Sequence, residues 1–269
     1  MLRLLPLLLL LAACAAPVAP PPPPPPLPYP AAARDRLLRL ALEEWREWGC
    51  RVSGEAGEPV AGACVPTFPA RESDPESFPR VLAYWRSVPD AENAIPRNRV
   101  LYAGALRGEA TPLWAEPYWS AAFISWLVGA AGVDTVEFAP SASHSRYLDH
   151  LDAVWAAHPA LAAFVPRDPA LHAPRPGDLL CRDRSSSPLA HWSLRAAERG
   201  RFRPMHCDVV VGVAPGMVEA VGGNVDDAVT LVRVPADPAG RVLPNPRPAL
   251  VIMENRLGRL PPWHQENRS

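Results

Sequence analysis

Ser120, His206 and either Asn224 or Asp208 are the residues whose types and order along this chain suit acyl transfer. A serine hydroxyl attacks a carbonyl only when a base takes its proton, and an imidazole does so best when a third polar group fixes its tautomer. Ser120 opens the apolar run "SAAFISWLVGAAG" just behind Tyr118 and Trp119, which predicts a helix over 118–131 closed by Gly132. Backbone N–H groups at a helix start have no intrahelical acceptor and carry partial positive charge, so an anion formed there is stabilised. Serine is also a favoured helix cap, and the segment by itself leaves that plainer role open.

His206 opens the segment "HCDVVVGV", where strand alternation puts His206 and Asp208 on one face and Cys207 on the other. A histidine on a sheet face opposite the Ser120 helix is placed to act as general base. Asn224, in the turn "VGGNVDD", is one candidate to orient that ring and Asp208 is the rival; Gly-Gly-Asn is equally what a tight turn requires. His144, in "SASHSRY", begins a further helix. With Tyr147 and Trp119 it is a candidate to line the substrate groove, a capping or surface role being the alternative. No CxxC or HxxxH spacing supports a metal site, and no cofactor is implied.

The elements that must position these residues follow from periodicity. Helices are predicted at 31–49 and 74–88, the second with Asp74 as cap and Pro75 at its first position, then at 118–131 and 144–158. Residues 50–72 and 89–116 read as irregular. Short β-rich runs bounded by Gly, Pro or Asn follow at 176–183, 206–213, 216–223, 228–234 and 248–254. Helices followed by a strand meander predict an α+β domain over 31–269, its N-terminal helices packed on a C-terminal antiparallel sheet. The helical front part spans 31–110 and the motif-bearing core 110–255.

The leader "MLRLLPLLLLLAACAAPVAP" has one Arg, a short apolar run and small residues. The run is far below the roughly 20 residues a membrane-spanning helix needs, so residues 1–13 read as an export signal. Leu11-Ala12-Ala13-Cys14 resembles the bacterial lipobox, which implies lipidation of Cys14 and a cell-envelope location, at the outer membrane facing the periplasm. Residues 14–30 form a proline-rich linker after Cys14; its polyproline tract 17–30, in extended form at about 3.1 Å per residue, would space the domain about 40 Å from the lipid. Four further cysteines in an oxidising compartment suggest disulfides. Cys50 and Cys64 flank a short polar loop, and Cys181 can pair with Cys207 if their strands are neighbours. With 27 basic and 28 acidic residues well mixed among 269, no basic stripe marks a nucleic-acid partner.

Taken in order, "PYWSAAFISWLVGAAGV", "PRPGDLLC", "HCDVVVGV" and "VEAVGGNVDDAV" resemble bacterial cell-wall amidases and peptidases of the NlpC and CHAP type. The chain as a whole resembles an uncharacterised family of exported bacterial lipoprotein domains. The cell-wall resemblance implies a papain-like fold, a nucleophile at Ser120 where those enzymes carry Cys, a catalytic histidine at His206 and a polar third member at Asn224. It also implies a peptidoglycan peptide as substrate, or an envelope protein as partner if the site only binds. The serine is the departure: thiolates form readily near neutral pH, whereas a hydroxyl must lose its proton during attack.

Overall fold

In the computed structural model the described residues are 21–30, 32–56, 62, 64, 70–244 and 247–258. Cys14 and the export signal at 1–13 lie outside them, as does most of the 14–30 segment's first half. Among the described residues there are five α-helices, α1 (Ala32–Glu47), α2 (Phe78–Trp85), α3 (Ala94–Ala105), α4 (Ser120–Ala130) and α5 (His144–Ala157), with one short strand between the first two. The strands are β1 (Val52–Gly54), β2 (Phe164–Arg167), β3 (Leu179–Asp183), β4 (Met205–Ala214), β5 (Met217–Val225), β6 (Ala228–Pro235) and β7 (Ala249–Asn255). They form one seven-stranded sheet in the order β1-β6-β5-β4-β3-β7-β2.

The class is α+β, with two departures from the pattern read above. The sheet is mixed rather than antiparallel, because β1 lies parallel to β6 while the other neighbours run antiparallel. Three residues of "VSG" are too few to give an alternation signal; the Cys50–Cys64 disulfide and the register to Leu231–Arg233 hold them in place. The region 89–116 is not irregular throughout, since it contains α3. Asp90 supplies the helix start, its two carboxylate oxygens accepting from the Ala94 and Ile95 N–H groups. The second helix begins as a 3₁₀ turn at Pro75–Ser77, and the Asp74 side chain accepts from the Arg71 N–H instead of capping forward.

Helix α4 is the centre of the molecule. It is apolar nearly all round, and a helix of that kind must be covered on every side. Ala121, Ala122, Phe123, Ile124, Leu127 and Val128 are all buried, packed between α1, α2 and the β4–β5 face. Burial of each of the larger side chains contributes about 1.5–3 kcal/mol. Trp119, just before α4, is fully buried and stacks on Trp48 at 5.3 Å and Tyr84 at 5.5 Å. Gly223 on β5 is pressed against Phe123, where a Cβ would come within 2.6 Å of the ring. The helix start is thus clamped on the sheet with little freedom to shift.

One sheet face packs on the helices through residues such as Cys181, Cys207, Val209, Val221 and Leu231. The other carries a smaller apolar cluster of Leu180, Val210, Val218, Ala220 and Ile252. Cys181 and Cys207 sit directly opposite one another on β3 and β4 and are disulfide-bonded. Their 26-residue separation makes the crosslink worth on the order of 3 kcal/mol in the chain-entropy picture. It also fixes the register that sets Arg182 opposite His206. Part of the proline-rich segment lies on the domain rather than projecting from it. The Pro23 carbonyl accepts from His158 Nε2 at 2.7 Å, the buried Tyr29 hydroxyl accepts from the Asp134 N–H, and Pro26 is buried. No helix among the described residues is long and apolar enough to cross a membrane.

Candidate active site

Ser120 is the first residue of α4, the cap position falling on Trp119. Its hydroxyl caps no N–H. It lies 2.8 Å from His144 Nε2, on the first residue of α5. His144 Nδ1 lies 2.5 Å from the Tyr147 hydroxyl, one turn further along the same helix, the i,i+3 spacing that puts two side chains on one face. The first intrahelical bond of α4 runs from the Phe123 N–H to the Trp119 carbonyl. The N–H groups of Ser120 and Ala121 therefore precede the helical ladder, beside the hydroxyl.

His206 does not meet Ser120 directly. Its Nε2 donates to Asp208 Oδ1 at 2.9 Å, and Arg182 donates to the other carboxylate oxygen at 3.0 Å. The three side chains share the sheet face that alternation assigns them, Arg182 standing across from His206 on β3. His144 links the two groups, its ring centroid 5.3 Å from that of His206 at an angle of 55°. Gly222 on β5 leaves room for this arrangement. A Cβ there would sit 2.0 Å from Asp208 Oδ1 and 3.1 Å from His206 Nε2.

The electrostatics separate the two histidines. His144 is buried, and burial pushes its pKa well below 6.5; His206 and Arg184 nearby push the same way, while Asp208 opposes them. The ring is therefore neutral at neutral pH and can accept a proton. Burial likewise holds the Tyr147 hydroxyl protonated, with its pKa well above 10. Burial by itself would raise the Asp208 carboxyl; the neighbouring His206 and Arg182 outweigh that and bring it down to about 2.

The other sequence candidates take different places. Asn224 reaches the same cleft, but its amide donates to Glu72 Oε2 at 2.6 Å and to no histidine; Asp208, not Asn224, holds a ring. Its φ of 56° lies in the left-handed region that asparagine tolerates at turns. Trp119 is no substrate contact, because it is fully buried and donates to the same Glu72 oxygen at 2.6 Å. Its neighbour Tyr118 lines the cleft instead. Tyr147 is buried behind His144 and does not line the cleft.

Sequence reasoning missed Glu72, Arg182 and the cleft arginines. Alternation on "LLCRD" puts Arg182 on the Leu180 face, a usable signal once the β3–β4 register is known. Glu72 sits in "ARESDPE" with no periodic pattern around it. Burial raises its carboxyl to about 7, with Asp227 adding to the rise and the Trp119 and Asn224 donors opposing it.

Ser120, His144, His206 and Asn224 all line one open cleft of about 720 Å³, together with Glu116–Tyr118 and Phe202–Met205. Among the described residues no group of three or more His, Cys, Asp and Glu side chains is arranged to hold a metal ion. Residues 72–258, well over half the chain, match the bacterial family described as an uncharacterized protein conserved in bacteria (DUF2272). The chain belongs to the DUF2272 family. The matched region of this DUF2272 domain takes in Glu72, α4, α5 and every strand of the site from β3 to β7. No curated protein and no solved structure matches the chain.

Proposed function

We propose that this protein is a serine-dependent amide or ester hydrolase of the bacterial cell envelope, acting on the peptide part of peptidoglycan. In this reading it is a papain-like relative of the NlpC and CHAP enzymes, anchored by a lipid on Cys14. The observation that carries the proposal is the 2.8 Å contact between Ser120 Oγ and the buried, neutral His144 at the floor of an open cleft.

His144 replaces His206 as the base. With its Nδ1 proton donated to Tyr147, the Nε2 lone pair faces the serine. As Ser120 Oγ attacks the carbonyl carbon, its proton passes to His144 Nε2. The carbonyl oxygen becomes an oxyanion beside the Ser120 and Ala121 N–H groups. The imidazolium is stabilised across the cluster by Asp208, which acts on His144 through space. His144 then returns the proton to the leaving amine or alcohol as the tetrahedral species collapses to an acyl-serine. Water deacylates the serine by the same proton route in reverse. His206, held by Asp208, forms the far wall of the pocket around His144.

A second reading, a binding module without turnover, is favoured by one observation: Asp208 is bonded to His206 and Arg182 and does not touch His144. The two separate experimentally. The full-length protein should react with a fluorophosphonate probe and release peptide from purified peptidoglycan. Ser120→Ala and His144→Ala should each lower both by at least about 10³-fold, and His206→Ala by less. Release that survives Ser120→Ala would refute the nucleophile, and binding without release or labelling would establish the second reading.

A further inference from the structure

Among the described residues the cleft holds positive charge without an ion-pair partner. Arg184, just after β3, and Arg247, just before β7, line it side by side, Arg247 Nη1 donating to the Arg184 carbonyl. Both are exposed, and among the described residues neither makes an ion pair. The carboxylates of that wall are committed elsewhere. Asp183 accepts from Arg203 and from the Ser185 and Leu189 N–H groups, Glu198 is tied to Arg203 and Arg195, and Asp208 to His206 and Arg182. Arg203 lines the cleft too, but its guanidinium is spent on Glu198, Asp183 and Ser185. Arg184 is also close enough to the reacting pair for its charge to depress His144.

Two aromatic side chains of the cleft are open to solvent. Tyr118 is 73% exposed and Phe202 67% exposed, although both belong to the cleft wall. An aromatic ring open to solvent beside a polar groove offers apolar contact area that a bound peptide can cover. Arg97 lines the cleft as well, and the cleft's acidic groups, Glu92 and Glu116, form no ion pair with Arg184 or Arg247 among the described residues. The groove therefore carries uncompensated positive charge, and that of Arg184 is close to His144.

We infer that the cleft selects a peptide carrying a carboxylate within a few bonds of the scissile carbonyl, held by Arg184 and Arg247 between the rings of Tyr118 and Phe202. This deepens the hydrolase reading by naming the chemistry of its substrate. Guanidinium groups match carboxylates in a two-pronged geometry that a lysine cannot offer. The carboxylate can come from an acidic side chain or from a free chain end, and the test distinguishes these sources.

Binding is measured with the full-length Ser120→Ala protein, so the result does not depend on turnover. The probes are N-acetylated, C-amidated alanine tetrapeptides with one Glu at each position in turn, their Gln counterparts, and tetra-alanine with a free C-terminus. At least one carboxylate-bearing probe should bind on the order of tenfold more tightly than its neutral counterpart, the size expected from two solvent-exposed charge contacts. The preference should shrink to within about twofold in Arg184→Gln/Arg247→Gln and weaken in high salt. A preference confined to Glu probes assigns a side-chain carboxylate; one confined to the free C-terminus assigns a chain end. Equal affinity for acidic and neutral probes, no binding by any probe, or a preference untouched by the double substitution would overturn the inference. A protein that shows the preference but hydrolyses nothing would keep this inference and discard the hydrolase.

Discussion

Replacing Glu72 by Gln should change how stability depends on pH, because a carboxyl that ties the start of α4 to the sheet titrates near neutrality. Glu72 is 5% exposed, accepts from Trp119 and Asn224 on the same oxygen, and has its pKa raised from 4.5 to about 7 by burial. Between those two values the folded protein binds more protons at this site than the unfolded chain. Its contribution is therefore fully present below about 4.5 and is lost as pH rises through about 7. The size of the displacement bounds the loss at about 3 kcal/mol. Relaxation of the surroundings around the ionised carboxylate reduces it to roughly half that. Glutamine keeps a carbonyl oxygen for the two donors and does not ionise. Urea unfolding at pH 5 and pH 8 tests this. At pH 5 the two proteins should differ by about 1 kcal/mol or less, since protonated Glu and Gln offer similar groups. At pH 8 Glu72→Gln should gain about 1–2 kcal/mol relative to the native protein. Parallel pH dependence in the two proteins would show that the native carboxyl does not titrate in this window, and the reasoning from its burial would fail.

Tyr147→Phe removes the hydroxyl 2.5 Å from His144 Nδ1 and leaves a buried ring nitrogen without its partner. It should cost about 1–3 kcal/mol in thermal unfolding. It should also lower kcat about 10–100-fold with KM little changed, because it disturbs the tautomer and not the groove; a raised KM at unchanged kcat would contradict this placement. Gly222→Ala drives a methyl to within 2.0 Å of Asp208 Oδ1, so the carboxylate must leave His206. A loss of about 1–3 kcal/mol is expected from such overpacking, read as a lower midpoint in urea, and a native midpoint would show that the β4–β5 contact is looser than described.

The α-helices around the site were legible in the sequence because each is amphipathic or wholly apolar over several turns, and that periodicity is local. Four were placed within a few residues of their ends, including α4 with Ser120 at its start. The five strands from β3 to β7 were legible for the same reason, short β-branched runs between turn residues. Helix α3 was hidden because its apolar residues do not recur on one face and its start depends on a side chain, Asp90, outside it. Strands β1 and β2 are three and four residues long, too short to repeat a pattern.

The chain by itself determined that a serine opens an apolar helix, that His206 and Asp208 share a strand face, and that His144 begins a helix with Tyr147 one turn on. Each of these is a statement about neighbours a few residues apart, which backbone geometry fixes. Only the tertiary structure decided that Ser120 meets His144 and not His206, that Asn224 turns away to Glu72, and that Trp119 is sealed in an aromatic stack while Tyr118 stays in the cleft. Those outcomes depend on how α4 and α5 are packed against β4 and β5. That packing is set by the fit of Phe123 over Gly223 and by a buried carboxylate from a distant loop, interactions that leave no periodic trace in the residues they join.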